Sequence, residues 1–369
     1  MSRWASAEID LGAVEHNVDV LMRSAAPAAV WAVVKADGYG HGAVRVAQAA
    51  LGAGAEGLCV ALVQEGVELR AAGIEAPILV LSEQPPDELG DLVRHRLTPT
   101  VYTVEYAEAV MAAAGGRYPA HVKIDTGMQR VGVPVAEAVR RFAALADLID
   151  PVGVFTHLAA ADEPDSPSNR MQLDAFDEVL AALGAATPPL VHAANSAATL
   201  ALPDARRSFV RAGIALYGIS PGHGIDHLVG ELRPVMRLVA RVSFVKRVVA
   251  GSHVSYGWRH RFDHDTTVAT VPIGYADGVP RRLGSLPELP GAEVLVAGRR
   301  CRIVGVVTMD QLMVDVGDIG VGVGDEVVLL GQQGSERIRP EEWADRLGTI
   351  GYEVVCGIGQ RVPRFSYCV

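Results

Sequence analysis

The chain has 369 residues, half of them hydrophobic and 21% charged, so it can form two domains with large cores and is too apolar to be disordered. Its 33 basic and 43 acidic residues give a formal net charge of −10, which argues against a protein whose main task is to bind nucleic acid. The sequence lacks the run of about 18 apolar residues that a membrane span needs, and its four scattered cysteines suggest neither a disulfide framework nor a structural zinc site.

Up to about residue 215, short apolar runs alternate with amphipathic stretches of helical periodicity. The predicted strands are Val30–Lys35, Gly57–Ala61, Ile78–Ser82, Thr98–Thr103, His121–Asp125, Val152–His157, Leu190–Asn195 and Phe209–Arg211. The clearest predicted helices are Val63–Ala72, Val104–Ala114, Val135–Leu148 and Met171–Leu183. Such alternation predicts a parallel sheet. Eight units favour an α/β fold of the (β/α)8 TIM-like barrel type over an open sheet, since no G-x-G-x-x-G follows the first strand.

The pattern changes after Ile219. Ser220–Pro234 is rich in Gly, Pro and His and is typical of a linker, and the following runs are rich in Val and end at turns. The predicted strands there are Val235–Val249, Thr266–Ile273, Glu293–Val307, Gln311–Val316 and Glu326–Leu330, and only Pro340–Leu347 has a helical pattern. We therefore predict a barrel over residues 8–232 and a mostly β domain over 233–369. The N-terminal strand, at about residues 1–7, is a candidate member of either domain.

The segment from Val33 to Gly42 is the most informative one for function. Lys35 ends a buried apolar run, and a glycine-rich loop follows it. Barrel enzymes carry reactive groups at the carboxyl ends of their strands. A lysine that loses contact with water there can act as a nucleophile toward aldehydes. The alternative is a surface lysine whose amine reaches into solvent.

Nine motifs, in order along the chain, resemble those of the alanine racemases, a family of bacterial pyridoxal 5′-phosphate (PLP) enzymes. They are VVKADGYGHG (33–42), KIDTGMQRVG (123–132), FTHLAAAD (155–162), HAANSA (192–197), VRAGIALYG (210–218), VSYG (254–257), GYADG (274–278), TMDQ (308–311) and the pair GYEV and RVPR (351–364). The resemblance covers essentially the whole chain. It implies a PLP-dependent isomerase that interconverts L- and D-alanine and supplies D-alanine for the peptidoglycan of the cell wall. The scattered cysteines fit a reducing cytoplasm as its location.

The resemblance implies that Lys35 holds PLP as a Schiff base. The phosphate contacts that it implies are Tyr39, Ser196, Gly213, Ile214 and, from the second domain, Tyr352. Barrels often bind phosphate at the loops after strands seven and eight, which by our strand count follow Asn195 and Arg211. The alternatives are that Asn195 and the serine after it only cap the next helix, and that the two tyrosines are core residues.

Arg211 resembles the arginine that faces the pyridine nitrogen of PLP in this family. A guanidinium can only donate hydrogen bonds, so the ring nitrogen would stay unprotonated and the ring would be a weaker electron sink. A weaker sink disfavours transamination relative to racemisation. His157 resembles a residue that supports Arg211 from behind. The alternative for Arg211 is a structural arginine paired with a carboxylate.

Racemisation removes a proton from one face of the α-carbon and returns one to the other, so two opposed bases suit it. The resemblance implies that Lys35 is one base and Tyr256, reaching in from the partner subunit, is the other. An active homodimer with shared active sites follows from that arrangement. The alternative for Tyr256 is a turn residue between strands.

The remaining implied residues concern the substrate. Arg130 and, from the partner chain, the backbone of Met309 would bind the substrate carboxylate, and Lys123 corresponds to a lysine that is carbamylated in some members and orients that arginine. The implied entrance residues are Tyr275, Arg281 and Arg364, whose alternatives are solvated charge and packing. Thr308 and Gln360 depart from residues common in the family, which puts details of the entrance or interface in doubt rather than the reaction.

Three other functions compete with an alanine racemase. They are a racemase of broader specificity, a non-catalytic PLP-binding barrel protein, and a PLP decarboxylase with the same two-domain plan. The second domain and Tyr256 argue against a non-catalytic barrel. Decarboxylases of this plan usually carry an acidic residue at the pyridine nitrogen, where this chain has Arg211. We expect alanine as the small-molecule substrate and no nucleic-acid, membrane or metal partner.

Overall fold

The computed structural model of the protein describes residues 4–285 and 289–368. The chain divides into two compact units. One unit spans Gly12–Arg233, and the other combines the start of the chain, up to Leu11, with the part that follows Arg233. Within the described residues, no helix has both the length and the apolar character that crossing a bilayer requires.

The unit Gly12–Arg233 is built on a parallel sheet that nearly closes into a barrel. After β1 (Ala5–Asp10), which belongs to the other unit, its strands are β2 (Ala29–Val33), β3 (Gly57–Val60), β4 (Ile78–Val80), β5 (Thr98–Val101), β6 (Pro119–Asp125), β7 (Val133–Pro134), β8 (Asp150–Phe155), β9 (Leu190–His192) and β10 (Phe209–Ala212). They pair in the order β10-β2-β3-β4-β5-β6-β8-β9, with the short β7 beside β6. A hydrogen bond from the Ser208 N–H to the Val191 carbonyl (2.8 Å) links the two ends of the sheet.

Helices follow most of these strands. They are α1 (Leu11–Ala25), α2 (Lys35–Gly40), α3 (Ala43–Gly52), α4 (Val63–Ala71), α5 (Leu89–Arg94), α6 (Val104–Ala114), α7 (Ala138–Ala146), α8 (Pro167–Leu183) and α9 (Ser196–Ala201). In α8 the buried residues Leu173, Phe176 and Val179 recur at three-residue spacing, which forms the apolar stripe of a helix that covers a sheet. The predicted α/β barrel is confirmed.

Aromatic rings fill part of the barrel interior. Phe209 stacks on Trp31 (centroids 4.3 Å apart, 18° between planes) and on His192 (4.1 Å, 26°). His192 stacks in turn on Phe155 (4.5 Å, 9°). These four residues come from four different strands or their ends, so the column ties the barrel together through its core.

The other unit is a β sheet. Its further strands are β11 (Met236–Arg241), β12 (Phe244–Val248), β13 (His253–Val254), β14 (His260–Arg261), β15 (Thr266–Val271), β16 (Glu293–Val296), β17 (Arg299–Val304), β18 (Leu312–Asp315), β19 (Glu326–Gln333), β20 (Glu336–Ile338) and β21 (Arg364–Tyr367), and its helices are α10 (Pro340–Leu347) and α11 (Gly351–Cys356). The main sheet runs β12-β15-β18-β17-β16-β19-β11-β1-β21. In it, β1 pairs antiparallel with β11 and parallel with β21. The predicted, mostly β second part is confirmed.

Some predicted element bounds are wrong. Val235–Val249 is two strands, β11 and β12, and Glu293–Val307 is the hairpin of β16 and β17. That hairpin turns at Ala297 (φ 49°) and Gly298 (φ 74°), which both adopt the left-handed conformation of a tight hairpin turn. The prediction that only Pro340–Leu347 is helical is also wrong, because α11 forms close behind it.

Candidate active site

The segment after β2 forms a left-handed turn that carries Lys35 and Tyr39. Residues 36–39 all have positive φ, from 52° to 60°. For residues with a Cβ this conformation costs about 1–2 kcal/mol each, and only Gly38 in the run lacks one. Unfavourable backbone of this kind is concentrated at functional sites. The predicted glycine-rich loop is therefore a defined turn, closed by a hydrogen bond from the Gly38 N–H to the Val34 carbonyl (2.8 Å).

The turn at residues 36–39 packs against the aromatic ring of Tyr217. The Tyr39 ring lies 4.9 Å from the Tyr217 ring, and the His41 ring packs on Tyr217 at 4.6 Å. The Tyr217 hydroxyl donates to the Val33 carbonyl at the end of β2 (3.0 Å). Tyr39 is buried. The alternative of a ring packed under the loop thus describes where the Tyr39 ring lies.

Tyr39, Ser196 and Gly213 converge at the ends of β9 and β10. The Ser196 hydroxyl accepts hydrogen bonds from the N–H groups of Gly213 (2.8 Å) and Ala215 (3.2 Å). A Cβ on Gly213 would lie 2.7 Å from the Tyr39 hydroxyl and 3.7 Å from the Ser196 hydroxyl, so the glycine keeps this space open. The buried Ile214 N–H donates to no acceptor among residues 4–285 and 289–368. Two hydroxyls and a spare amide around an open space suit a phosphate.

Asn195 has the helix-capping role that the sequence left open. Its side chain accepts a hydrogen bond from the Ala198 N–H (3.0 Å) and so caps α9. The cap is this asparagine alone, which leaves the hydroxyl of Ser196 free to face Gly213 instead.

Arg211 lies buried at the end of β10 with neutral partners. Its Nη1 lies 2.6 Å from His192 Nδ1, and its Nη2 lies 3.2 Å from His157 Nδ1. Nη2 also donates to the carbonyls of Thr156 and Ala193, both at 3.0 Å. Within the part of the chain that the structure describes, no carboxylate pairs with this guanidinium. The alternative of an arginine neutralised by an acid is therefore wrong.

The charge of Arg211 determines the tautomers of its neighbours. Burial lowers the pKa of Arg211 to about 10, so the group stays protonated at neutral pH and can only donate. His192 therefore accepts at Nδ1 and carries its proton on Nε2, which lies 2.9 Å from His121 Nδ1. Burial, reinforced by the charge of Arg211, holds the pKa of His192 well below its ordinary value and lowers that of His121 to about 3. Both rings are neutral.

Lys123, Arg130 and His157 line one small cavity at the carboxyl ends of β6 and β8. Burial, followed by the charges of Arg130 and Arg211, lowers the pKa of Lys123 to about 8. Burial also holds the pKa of His157 well below its ordinary value, with Arg211 as the next cause. The charge of Lys35 contributes to both shifts, so its amine acts on the same end of the barrel.

In the β unit, Tyr256, Tyr275, Arg281 and Met309 line one open groove. Tyr256 lies in a short turn after Ser255 (φ 67°) and is 73% exposed. Met309 is half-exposed, and its N–H donates to no acceptor among the described residues. The groove thus brings together the expected catalytic residue Tyr256 and the expected substrate contact Met309. The expected entrance residues Tyr275 and Arg281 line it as well.

Two further predicted residues lie elsewhere in the β unit. Tyr352 is half-buried in α11. Arg364 is not among the residues that line the groove. Its guanidinium donates to the carbonyls of Gly359 (2.7 Å), Val362 (2.7 Å) and Ile358 (2.5 Å), so it holds the chain between α11 and β21.

Sequence reasoning assigned no role to several residues that shape the site. His121 and His192 lie behind Arg211, and Tyr217 packs under the turn of Lys35. His192 and Tyr217 lie in quoted motifs, but one-dimensional spacing does not reveal which side chains share a barrel interior. Glu65, which accepts a hydrogen bond from the Ala36 N–H (2.6 Å), had a local signal, because it is the third residue of the predicted helix Val63–Ala72, where a capping box places a glutamate.

Comparisons with known proteins identify the same architecture over the full length. A family model described as alanine racemase, N-terminal domain, matches residues 9–221. A second model, described as alanine racemase, C-terminal domain, matches residues 235–366. The two matches fall on the barrel and on the β sheet described above.

Individual relatives agree. The alanine racemase of Symbiobacterium thermophilum is 47% identical over 367 residues, covering 97% of this chain and 96% of the relative. That of Thermobifida fusca is 46% identical over 374 residues, covering 99% and 98%. The crystal structure of alanine racemase from a D-cycloserine-producing Streptomyces lavendulae matches with a TM-score of 0.92 at 40% identity, covering 100% of this chain and 98% of that one.

Proposed function

The chain belongs to the alanine racemase family, and on that premise we propose that it uses PLP to interconvert L- and D-alanine. It is an enzyme of the isomerase class, because its similarity to alanine racemases extends over nearly its whole length. That similarity favours neither a non-catalytic barrel protein nor a racemase of other specificity. The observation that carries the PLP proposal is the convergence, at one end of the barrel, of Lys35, the open space at Gly213 and Arg211, which pairs with no carboxylate among residues 4–285 and 289–368.

The residues present fit PLP. We propose that Lys35 holds it and that Tyr39, Ser196, Gly213 and the amide of Ile214 bind its phosphate, with Tyr352 as a further contact. The space kept open at Gly213 and the spare N–H of Ile214 support this assignment. PLP supplies an electron-withdrawing ring that makes the α-hydrogen of a bound amino acid acidic.

Arg211 is proposed to donate to the pyridine nitrogen. Its existing partners are imidazole nitrogens and carbonyls, which leave its positive charge in place. A permanent donor keeps the nitrogen it faces free of a proton. We propose that His157 positions Arg211 for this contact, and that the resulting weak electron sink favours racemisation over transamination.

Two bases are proposed to move the proton. Lys35 Nζ acts on one face of the α-carbon and Tyr256 Oη on the other. Tyr256 is largely exposed in its own chain, which fits a side chain that serves the active site of a partner subunit. We therefore propose a homodimer with shared active sites.

The substrate and its route are assigned in the same way. Arg130 and the unpaired N–H of Met309 are proposed to bind the carboxylate, and Lys123 to orient Arg130. Tyr275, Arg281 and Arg364 are proposed to line the entrance. Burial and the nearby cations lower the pKa of Lys123 to about 8, which raises the share of the neutral amine that carbamylation requires.

The proposed biological setting is the cytoplasm, where D-alanine would supply peptidoglycan synthesis. None of the four cysteines, all of which lie in the described part of the chain, forms a disulfide, which suits a reducing compartment. We propose residues 8–232 as the PLP-binding domain and 233–369 as the domain that supplies Tyr256. Within this proposal the enzyme has no nucleic-acid or membrane partner.

A panel of single L-amino acids, each followed by chiral chromatography, tests the function. We expect conversion of L-alanine to D-alanine to exceed that of L-serine and L-lysine, because Tyr256 and Met309 would narrow the pocket. Lys35→Ala is the control, and it should lack both turnover and the visible absorbance of bound PLP. Preferred conversion of another amino acid would replace alanine with a broader substrate class, and absence of racemisation would defeat the proposal.

A further inference from the structure

We infer that Glu65 is a positioning residue for Lys35, because it holds the backbone on which that lysine sits. The inference rests on the proposed role of Lys35 in binding PLP. The Glu65 carboxylate joins two neighbouring strand-to-helix connections of the barrel. Its Oε1 accepts a hydrogen bond from the Ala36 N–H at 2.6 Å. Its Oε2 accepts from the N–H groups of Ala61 (2.7 Å) and Leu62 (3.1 Å).

The Ala36 N–H lies beyond the hydrogen bonds that join β2 to the neighbouring strand. The last bond from this segment to the neighbouring strand runs from the Val34 N–H to the Cys59 carbonyl (2.9 Å). Ala36 follows Lys35 directly and has a φ of 53°, a conformation that is energetically unfavourable for residues with a Cβ. An outside acceptor is therefore needed to keep this peptide in place. Glu65 is that acceptor, and it fixes the direction in which the Lys35 backbone leaves β2.

A helix cap alone would not require a carboxylate here. Glu65 is the third residue of α4, and one of its oxygens reaches back to the Leu62 N–H as in a capping box. Glutamine serves that cap as well as glutamate does, since one side-chain oxygen is enough. In this protein the other oxygen is occupied by Ala36, so both ends of the carboxylate must accept. Glutamine offers a single accepting end and must leave one side unpaired.

The unpaired side in a glutamine variant would be the one facing Ala36. The cap side presents two N–H groups, those of Ala61 and Leu62, and the turn side presents one. The amide oxygen therefore gains more by facing the cap. Its NH₂ group then meets the Ala36 N–H, donor against donor, and the turn loses its tether while α4 keeps its cap.

The barrel contains a matched carboxylate away from Lys35. Glu83 follows β4 and accepts hydrogen bonds from the N–H groups of Tyr102 and Thr103, both at 2.7 Å, at the end of β5. It also joins two neighbouring connections, but a single oxygen, Oε1, accepts from both N–H groups, and Oε2 accepts only from the Thr103 hydroxyl. Glu83→Gln therefore removes the charge of a connecting carboxylate while one oxygen keeps both backbone hydrogen bonds.

The test compares PLP binding by the apo forms of the full-length parent, Glu65→Gln, Glu65→Asp and Glu83→Gln. Aspartate is shorter and gives a second way of losing the Ala36 contact if the glutamine variant folds poorly. The affinity for PLP and the rate at which its visible absorbance develops are measured, together with thermal unfolding. We expect both Glu65 variants to bind PLP about tenfold more weakly and more slowly, as displacement of a reacting group predicts. Glu83→Gln should keep parent-like binding.

Parent-like affinity and rate in the Glu65 variants would overturn the inference, as would an equal loss in Glu83→Gln. Lys35→Ala, run beside them, separates this from failure of the proposed function. If Lys35→Ala still binds PLP with parent-like absorbance, the proposed role of Lys35 fails, and the inference about Glu65 fails with it. If Lys35→Ala loses that absorbance while Glu65→Gln behaves as the parent, only the inference about Glu65 fails.

Discussion

The histidine side chains around Arg211 are uncharged at neutral pH. Burial holds the pKa of His121, His157 and His192 below the value of 6.5 that an unhindered histidine has. The unfolded chain therefore binds more protons than the folded chain once the pH falls below about 6.5. The stability that these neutral rings provide is complete above that pH and is lost as the pH falls toward the folded-state values, which for His121 is about 3.

This linkage predicts a steep acid dependence of stability. Between about pH 6 and pH 4.5 each such ring lowers the free energy of unfolding by about 1.4 kcal/mol per pH unit. His121→Asn keeps an acceptor for His192 and should reduce the measured slope by the share of one histidine. Chemical denaturation over a pH series measures the slope. His264→Asn changes an exposed histidine and serves as the control; a slope in His121→Asn equal to that of the parent would contradict the assignment.

At Tyr256 the two-base proposal makes an asymmetric prediction. Removing the hydroxyl in Tyr256→Phe leaves Lys35 as a base on one face only, so α-hydrogen exchange should fall about 100-fold for one enantiomer and much less for the other. Proton NMR of each alanine enantiomer in D₂O measures both rates. Tyr275→Phe removes a hydroxyl from the same groove and should affect both enantiomers alike. Equal and mild losses in Tyr256→Phe would remove it as a base.

The connection after β10 is predicted to bind phosphate because Gly213 has no side chain. In Gly213→Ala the new Cβ lies 2.7 Å from the Tyr39 hydroxyl, so the tyrosine must move and the cradle closes. We expect PLP affinity to fall about tenfold or more, since repositioned donors lose their charge-assisted hydrogen bonds. Titration of the apo form with PLP, followed by fluorescence, measures the affinity. Gly52→Ala, whose Cβ would meet nothing within 4 Å, should bind as the parent does, and so should Gly213→Ala if the cradle is elsewhere.

Strands and helices were predictable from the sequence where the hydrophobic pattern of neighbouring residues determines them. All eight predicted barrel strands coincide with observed ones, because a parallel strand buried on both faces appears as an apolar run. Their ends were not predictable, since Thr156 and Ala193 continue the apolar or small pattern of β8 and β9 after the chain has left the ladder. The left-handed α2 was also missed. It contacts Glu65 and Tyr217, residues that lie far from it in sequence.

Some features of the candidate site were likewise predictable from the sequence, and others were not. The nine motifs that contain Lys35, Arg211 and Tyr256, through their resemblance to a known family, sufficed to propose a reaction. That Arg211 has no carboxylate partner in the described part of the chain, and that His192 and His121 lie behind it, depends on which strands neighbour each other in the barrel. Only three-dimensional contacts contain that information, so the strongest support for the electrostatic proposal came from the fold and not from the motif.

At the scale of the whole molecule, the two ends of the chain belong to the same unit. Residues up to Leu11 and those after Arg233 form the β unit, and Gly12–Arg233 between them forms the barrel. β1 lies between β11 and β21 in the β sheet, and Ala5, Ala7 and Ile9 on it are buried. A fragment of residues 234–369 therefore lacks an inner strand. We expect it to melt at a lower temperature alone than with an added peptide of residues 1–11, as followed by circular dichroism. A peptide with Ile9→Lys should not stabilise it, and equal melting with and without the native peptide would contradict this role of β1.

Shared active sites in a homodimer predict that two inactive variants complement each other. Lys35→Ala lacks one proposed base on the barrel, and Tyr256→Phe lacks the other on the β unit. A mixed dimer places one intact Lys35 opposite one intact Tyr256 and so regenerates one complete site of the two. With random exchange of subunits, half of the dimers are mixed, so racemase activity should recover toward about a quarter of the parent value. The variants are unfolded together, refolded and assayed for D-alanine, with each variant refolded alone as the control. If both bases came from the same chain, no mixed dimer would contain a complete site, and activity would stay at the level of the separate variants.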